Sequence, residues 1–221
     1  MARVKTHLIV GYGEVGRALH KIIKGSMTSD HHKGGTWNGY EIDIVHICIP
    51  YKNEEEFVRT IKFYKDYSDL IIVHSSVPVG TCDGLGIVQS PIRGVHPHLE
   101  EGIRTFVKYF GGKDADKAAK IFKDLKIRTK VFKDAKTTEA IKLWDTTQYG
   151  KLIMMEKQIY KWCQDNGVNF KDVYTDANME YNLGYLLLGR PEVVRPYLKH
   201  MEGPIGGHCV KENAKLLKVK L

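Results

Sequence analysis

The sequence predicts an α/β fold, a doubly wound parallel sheet followed by an all-helical domain. Three observations carry this expectation. The first half alternates short β-rich runs with helical patterns, as right-handed βαβ units do. Two of those runs, residues 43–49 and 69–74, are almost continuously apolar, as strands buried on both faces are. From about residue 137 the patterning is helical nearly throughout.

The elements follow in order. His7-Leu8-Ile9-Val10 reads as the first strand. Residues 14–24 read as a helix with Val15, Leu19, Ile22 and Ile23 on one side. A second strand is expected next, but residues 26–40 are polar and glycine-bearing, so this stretch holds either a degraded strand or only a loop. The run 43–49 is closed by Pro50. Asn53 caps a helix over 53–67, with Glu54, Glu55 and Glu56 in its first turn. After the strand at 69–74, weaker strands are expected near 94–96 and 130–132, with a helix over 115–125 between them. Thr137 or Thr138 is expected to cap a long helix that reaches about Asn166, where Gly167 stops it. A second helix covers 170–188, weakened by Gly184, and a third follows Pro191. The expected domains are 1–134 and 135–221.

Composition narrows the classes. Apolar residues at 43% and charged residues at 27% describe an ordinary globular chain. No apolar run approaches the roughly 18–20 residues of a membrane helix, and Met1-Ala2-Arg3-Val4-Lys5 has no signal-peptide core, so a cytoplasmic protein without membrane partners is expected. Cys48, Cys82, Cys163 and Cys209 lack paired zinc spacing and read as free thiols. The net charge of +8 is spread over helical faces such as Lys117, Lys120, Lys123 and Lys126, and no nucleic-acid recognition motif accompanies it. No nucleic-acid partner is therefore expected.

Between the first strand and first helix stands Gly11-Tyr12-Gly13-Glu14-Val15-Gly16. In this strand–turn–helix setting the pattern is the Rossmann dinucleotide fingerprint. Gly11 allows the tight turn, Gly13 lets backbone approach a pyrophosphate, and Gly16 lets helix and strand pack closely. The acidic residue that meets the ribose hydroxyls about 20 positions on falls near Asp30. Without a clear second strand to hold it, Asp30 is not assigned, and NAD versus NADP stays open.

Three later segments carry further chemistry: His74-Ser75-Ser76-Val77-Pro78-Val79-Gly80-Thr81, Thr138-Glu139-Ala140-Ile141-Lys142, and Gly203-Pro204-Ile205-Gly206-Gly207-His208-Cys209-Val210. Taken in order, they resemble the nucleotide-sugar dehydrogenases, the UDP-glucose and GDP-mannose dehydrogenase family. Ile47-Cys48-Ile49-Pro50 also resembles that family's strand end beside the cofactor, which adds Ile49, Pro50, Ser75 and Ser76 to the cofactor-binding set. The resemblance implies a two-step oxidation of a sugar primary alcohol with NAD. Cys209 would be the nucleophile, Lys142 would stabilise the oxyanion, and Ser76 would position water or substrate. It also implies a homodimer packed through the long helix. Independently, a cysteine after paired glycines is exposed to activation by a nearby cation. Glu139, Lys142, Thr146 and Tyr149 share one helical face.

The chain departs from the family pattern at several points. Thr146 stands where the helical asparagine is expected, Asn213 where the aspartate follows the cysteine, and Lys211 where proline is usual. Pro97-His98 stands at the proline-glutamate of the substrate loop, with Glu100 and Glu101 as displaced substitutes. The family's C-terminal domain, which holds the sugar nucleotide, is expected to be absent. His96 and His98 alternate on an extended segment. They read as cleft or surface histidines rather than as metal ligands with His208 and Cys209, and no metal is expected. His98 beside a nicotinamide would act as acid or base. The resulting expectation is an NAD(P)-dependent oxidoreductase acting on a small-molecule alcohol or aldehyde. The alternative is a catalytically degenerate dinucleotide-binding regulatory or scaffold protein.

Overall fold

The computed structural model describes residues 5–205 and 208–221, apart from the side chain of His208. The chain divides into two compact units, Met1–Leu143 and Trp144–Leu221. The division falls within the long helix rather than at residue 135.

The first unit is built on a seven-stranded sheet. Its strands are β1 His7–Val10, β2 Met27–Ser29, β3 Ile44–Ile47, β4 Leu70–Val73, β5 Val88–Gln89, β6 Lys108–Gly112 and β7 Thr129–Phe132. Their order is β2-β1-β3-β4-β5-β6-β7, parallel throughout except between β5 and β6. The helices between them are α1 Glu14–Ile22, α2 Glu54–Lys65, α3 Thr81–Leu85, α4 Leu99–Thr105 and α5 Ala115–Asp124.

The sheet has a packed core on each face because strand side chains alternate. Ile9, Ile44, Ile72 and Phe110 meet Leu19 and Ile22 of α1 and Phe122 of α5. Leu8, Val45, Ile47 and Ile71 meet Phe57 and Ile61 of α2. Every residue of β3 and β4 is buried, as their continuous apolar runs predict. Asn53 caps α2 by accepting the Glu56 N–H at 2.8 Å.

One open alternative is decided and three expectations need correction. A second strand does exist: β2 pairs with β1, and Gly11 N–H donates to Ser29 O at 2.8 Å. It is only three residues long with every residue half-buried, so its sequence lacks an apolar signature. Residues 94–96 form no strand. The ladder there is made by β5 and β6 instead, and Val88 and Gln89 are the only two residues of β5. The long helix α6, Ala135–Asp165, is capped by aspartates rather than by Thr137 or Thr138. Asp134 accepts the Thr137 N–H at 2.9 Å, while Asp83 accepts those of Ala135 and Lys136 at 2.9 and 3.0 Å. After Pro191 there is one tight 3-10 turn, Pro191–Val193, rather than a helix.

In the second unit α6 runs on until Gly167, whose φ of +65° ends it. A π-helical segment, Lys171–Asp176, leads into α7, Ala177–Leu187. An extended strap follows. Asn182 exchanges hydrogen bonds with the Arg195 backbone, and His200 donates to the buried Glu156 carboxylate at 2.6 Å while stacking on Tyr160. The strap leads to α8, His208–Leu216.

Candidate functional site

The strand order reverses between β2-β1 and β3-β4, so a crevice opens at the carboxyl ends of β1 and β3. The glycine fingerprint occupies this position, and each glycine has a separate geometric reason. Gly11 has φ +90°, and a Cβ there would meet the Cys48 carbonyl and Ile49 Cγ2 at 3.0 Å. A Cβ on Gly16 would lie 2.0 Å from Gly11 O, so only glycine lets α1 start this close to the strand. Gly13 has an ordinary φ of −74°, and a Cβ there would meet nothing within 4 Å. Its bareness serves neither the turn nor the packing of the chain itself. Gly13 also begins α1 and, as glycine, caps none of the helix's first N–H groups with a side chain. An open, glycine-floored helix start fits a dinucleotide pyrophosphate.

Tyr12, Glu14 and Val15 complete the loop. Tyr12 N–H donates to Asp30 Oδ2 at 2.6 Å. Asp30 also accepts the backbone N–H groups of His32 and Lys33 at 3.0 and 2.9 Å. These bonds, Tyr12's foremost, hold its carboxyl below the usual range. Asp30 thus follows β2 directly, against the fingerprint, which is the place of the ribose-binding acid. Sequence reasoning left it unassigned because three half-buried residues do not announce a strand. Glu14 pairs with His96 of the loop after β5. His98 is exposed at the start of α4.

The crevice edge is tied together by the segments singled out in the sequence. Ser75 Oγ–H donates to Ile49 O at 2.5 Å, joining the ends of β3 and β4, while Pro50 is exposed and Ser76 half-buried beside them. Glu139 lies in the core rather than on a cleft face. Its carboxylate accepts the N–H groups of Gly80 and Cys82 at 2.6 and 2.8 Å, linking the Val77–Thr81 stretch to α6. Burial raises its pKa, against the pull of those bonds. Lys142 is half-buried near the end of this unit.

In the second unit Cys209 is exposed in the first turn of α8. Asn213, one turn further on, is buried and donates to Thr146 Oγ1 at 2.8 Å. A Cβ on Gly150 would lie 2.5 Å from Val210 Cγ1, so this glycine lets α8 sit close against α6. Gly206 and Gly207 of the motif lie outside the described residues. Among the described residues no three His, Cys, Asp or Glu side chains converge as metal ligands, and no helix is long and apolar enough to cross a membrane.

No protein-family model matches the chain. It is 24% identical to the UDP-N-acetyl-D-mannosamine dehydrogenase of Methanocaldococcus jannaschii, across 98% of this chain and 56% of that protein. The chain therefore spans little more than half the length of that relative. Among solved structures, the UDP-D-ManNAc dehydrogenase from Pyrococcus horikoshii superposes with a TM-score of 0.74 at 15% identity, covering 96% of this chain and 63% of that one. The 3-hydroxyisobutyrate dehydrogenase of Mycobacterium tuberculosis superposes with a TM-score of 0.61 at 13% identity, covering 98% and 94%. The resemblance to nucleotide-sugar dehydrogenases read from the motifs thus extends over nearly the whole chain, and the Rossmann-type fold with helices behind it is common to these neighbours.

Proposed function

We propose that this chain binds a nicotinamide dinucleotide in the crevice at Gly11–Gly16 and serves the oxidation of an alcohol or aldehyde, a sugar nucleotide being the first substrate class to assay. The observation that carries this reading is the open floor at Gly13, flanked by a turn that demands Gly11 and a contact that demands Gly16. The dehydrogenases named above support it. When bound, the dinucleotide accepts a hydride from the substrate carbon. The chain's own part is to hold the pyrophosphate on the N-terminus of α1, with Asp30 beside the ribose. Cys209, as thiolate, forms a C–S bond to the aldehyde carbon, and the Lys142 ammonium offsets the charge on its oxygen. Ser76 positions water or substrate. The Thr146–Asn213 bond fixes α8, and with it the placing of Cys209.

Asp30 favours NAD, because its carboxylate repels a 2′-phosphate and accepts a 2′-hydroxyl. NADH is expected to bind at least about tenfold more tightly than NADPH, a difference of roughly 1.4 kcal/mol. Asp30→Asn should narrow that gap in paired fluorescence titrations. A preference for NADPH in the wild type would refute the assignment.

The deciding experiment pairs binding with turnover. Wild type and Cys209→Ser are expected to bind NADH equally, while the variant loses at least about 100-fold in turnover of UDP-sugars or short hydroxyacids. A second reading, dinucleotide binding without catalysis, is favoured by the buried Asn213, whose amide is spent on Thr146. It is the reading left standing if both proteins bind NADH and neither turns over any alcohol.

The second unit also exposes large apolar side chains on α6 and α7, among them Trp144, Met155, Trp162, Leu183 and Leu187. We propose that they are covered in a homodimer packed through α6. Light scattering should give twice the mass of one chain, and Trp162→Glu should return the monomer.

A further inference from the structure

Four basic side chains from successive parts of the sheet stand in line across the first unit. His7 Nδ1 lies 3.0 Å from His46 Nε2, and His46 Nδ1 lies 3.0 Å from His74 Nε2. His74 Nδ1 lies 2.8 Å from Ser90 O and 3.3 Å from Lys108 Nζ. Neighbouring rings are nearly parallel, with centroids 5.3 Å apart. His46, His74 and Lys108 are buried, and His7 is partly exposed. The row runs diagonally. His7 opens β1 at the edge away from the crevice, whereas His74 follows the carboxyl end of β4. Lys108 opens β6, which runs antiparallel to β5, so it too lies toward the crevice edge.

One carbonyl sets the tautomers of all three rings. Ser90 O only accepts, so His74 Nδ1 at 2.8 Å carries the hydrogen and its Nε2 carries a lone pair. His46 must then donate from Nδ1, which leaves its own Nε2 as an acceptor for His7 Nδ1–H. The outer lone pair of the row is therefore His7 Nε2. In this state Lys108 is an amine that offers its lone pair toward His74 and donates to Ser90 O and Pro91 O, at 3.3 and 3.4 Å.

A second state keeps the ring-to-ring contacts and gives up the bond from His74 Nδ1 to Ser90 O, both atoms then accepting from Lys108 instead. A proton bound at His7 Nε2 releases the Nδ1 proton to His46 Nε2. His46 Nδ1–H passes to His74 Nε2, and His74 Nδ1–H passes to Lys108 Nζ. Each ring gains one N–H bond and loses one, and the added charge rests on Lys108. Its ammonium then donates to His74 Nδ1, Ser90 O and Pro91 O. We infer that His7, His46, His74 and Lys108 form a proton relay through the sheet, which charges and discharges the Lys108 amine with protons exchanged at His7.

The surroundings fit this role. Burial holds His46 and His74 well below the usual imidazole range, so neither ring retains a charge, and it lowers Lys108 to about 7. Lys108 faces the Phe110 and Phe122 rings and the Cys48 thiol, which burial pushes up to about 12. At the outer end burial lowers His7 as well, while Asp43 draws a proton toward it and Lys5 opposes it. Oxidation of an alcohol leaves one proton behind for each hydride removed. This use of the relay rests on the function proposed above, but the relay itself does not.

The test is long-range proton–nitrogen NMR on the ligand-free full chain labelled with 15N-histidine, titrated from pH 9 to pH 6. All three rings are expected in the Nδ1–H form at pH 9. They should exchange to the Nε2–H form together, with one midpoint, as the pH falls through neutrality. In Lys108→Met the exchange should be lost. Separate midpoints for the three rings, a mixed set of tautomers at pH 9, or exchange that persists in Lys108→Met would overturn the relay. The wild-type titration decides the matter if that variant does not fold. NADH binding enters none of these readings, so loss of the dinucleotide assignment is seen separately.

Discussion

Gly16→Ala is expected to break the dinucleotide loop itself, whereas Gly13→Ala should remove ligand binding and leave the fold unchanged. The two positions are three residues apart in one loop, yet their surroundings differ completely. An alanine methyl at Gly16 would lie 2.0 Å from the Gly11 carbonyl oxygen and 3.4 Å from Ile9 Cγ2, with backbone on one side and packed core on the other. Neither can yield as a flexible side chain does, so α1 must move off β1. The expected cost is about 3 kcal/mol, an overpacking penalty at the upper end of the usual range, seen as a melting temperature lower by roughly 5–10 °C. At Gly13 the same methyl meets nothing within 4 Å, and the backbone there has an ordinary negative φ. Stability should stay within about 0.5 kcal/mol of wild type. The methyl would, however, stand where a pyrophosphate must approach the helix N-terminus, and NADH affinity should fall at least about tenfold. Thermal melting and NADH titration on the two variants give the comparison. Equal NADH affinity in wild type and Gly13→Ala would place the ligand elsewhere.

The second large effect is a dependence of stability on pH that comes from the buried amine. Lys108 holds its proton with a pKa of about 7 in the fold, against 10.5 for a free lysine side chain. Between those values the unfolded chain binds a proton that the native chain does not. Stability therefore rises with pH across this window, and it falls progressively as the pH is lowered from about 10 to about 7. The change is on the order of 4 kcal/mol. Below about pH 6.5 His46 and His74 act in the same direction, because their lowered pKa values leave the native rings neutral while the unfolded ones take up protons. The domain is thus expected to be labile to acid and firmest in mild alkali. Lys108→Met keeps an apolar stem between Phe110 and Phe122 and removes the titrating group. It should flatten the dependence between pH 7 and pH 10, while the fall below pH 6.5 remains. Urea unfolding at pH 6, 7, 8.5 and 10 measures both. Equal slopes for wild type and variant above pH 7 would mean that the buried amine contributes nothing.

What was legible in the sequence was what short-range physics determines. A strand that runs into a tight glycine turn and then a helix is written in adjacent residues, and Gly11, Gly13 and Gly16 each answer a local demand of that turn. The buried central strands were equally plain, because a strand covered on both faces needs unbroken apolar residues, as Ile44–Ile47 and Leu70–Val73 have. Long helices declared themselves by periodicity and by a stop at Gly167.

Tertiary structure alone decided the rest. Met27–Ser29 and Val88–Gln89 become strands because neighbouring strands supply hydrogen-bond partners, since so few residues carry no pattern of their own. Asp30 acquires its meaning only once β2 sets it against the Tyr12 N–H. The aspartates that start α6 include Asp83, which is 52 residues from the Ala135 N–H it accepts. The histidine row joins side chains 39, 28 and 34 residues apart, each an unremarkable polar residue in its own stretch. The sequence by itself determined a dinucleotide-type loop and the strands that flank it, since those depend on contacts within a few residues. Sheet order decided which acid faces that loop and which basic groups share a buried line, because only the pairing of distant strands brings such groups within hydrogen-bonding distance.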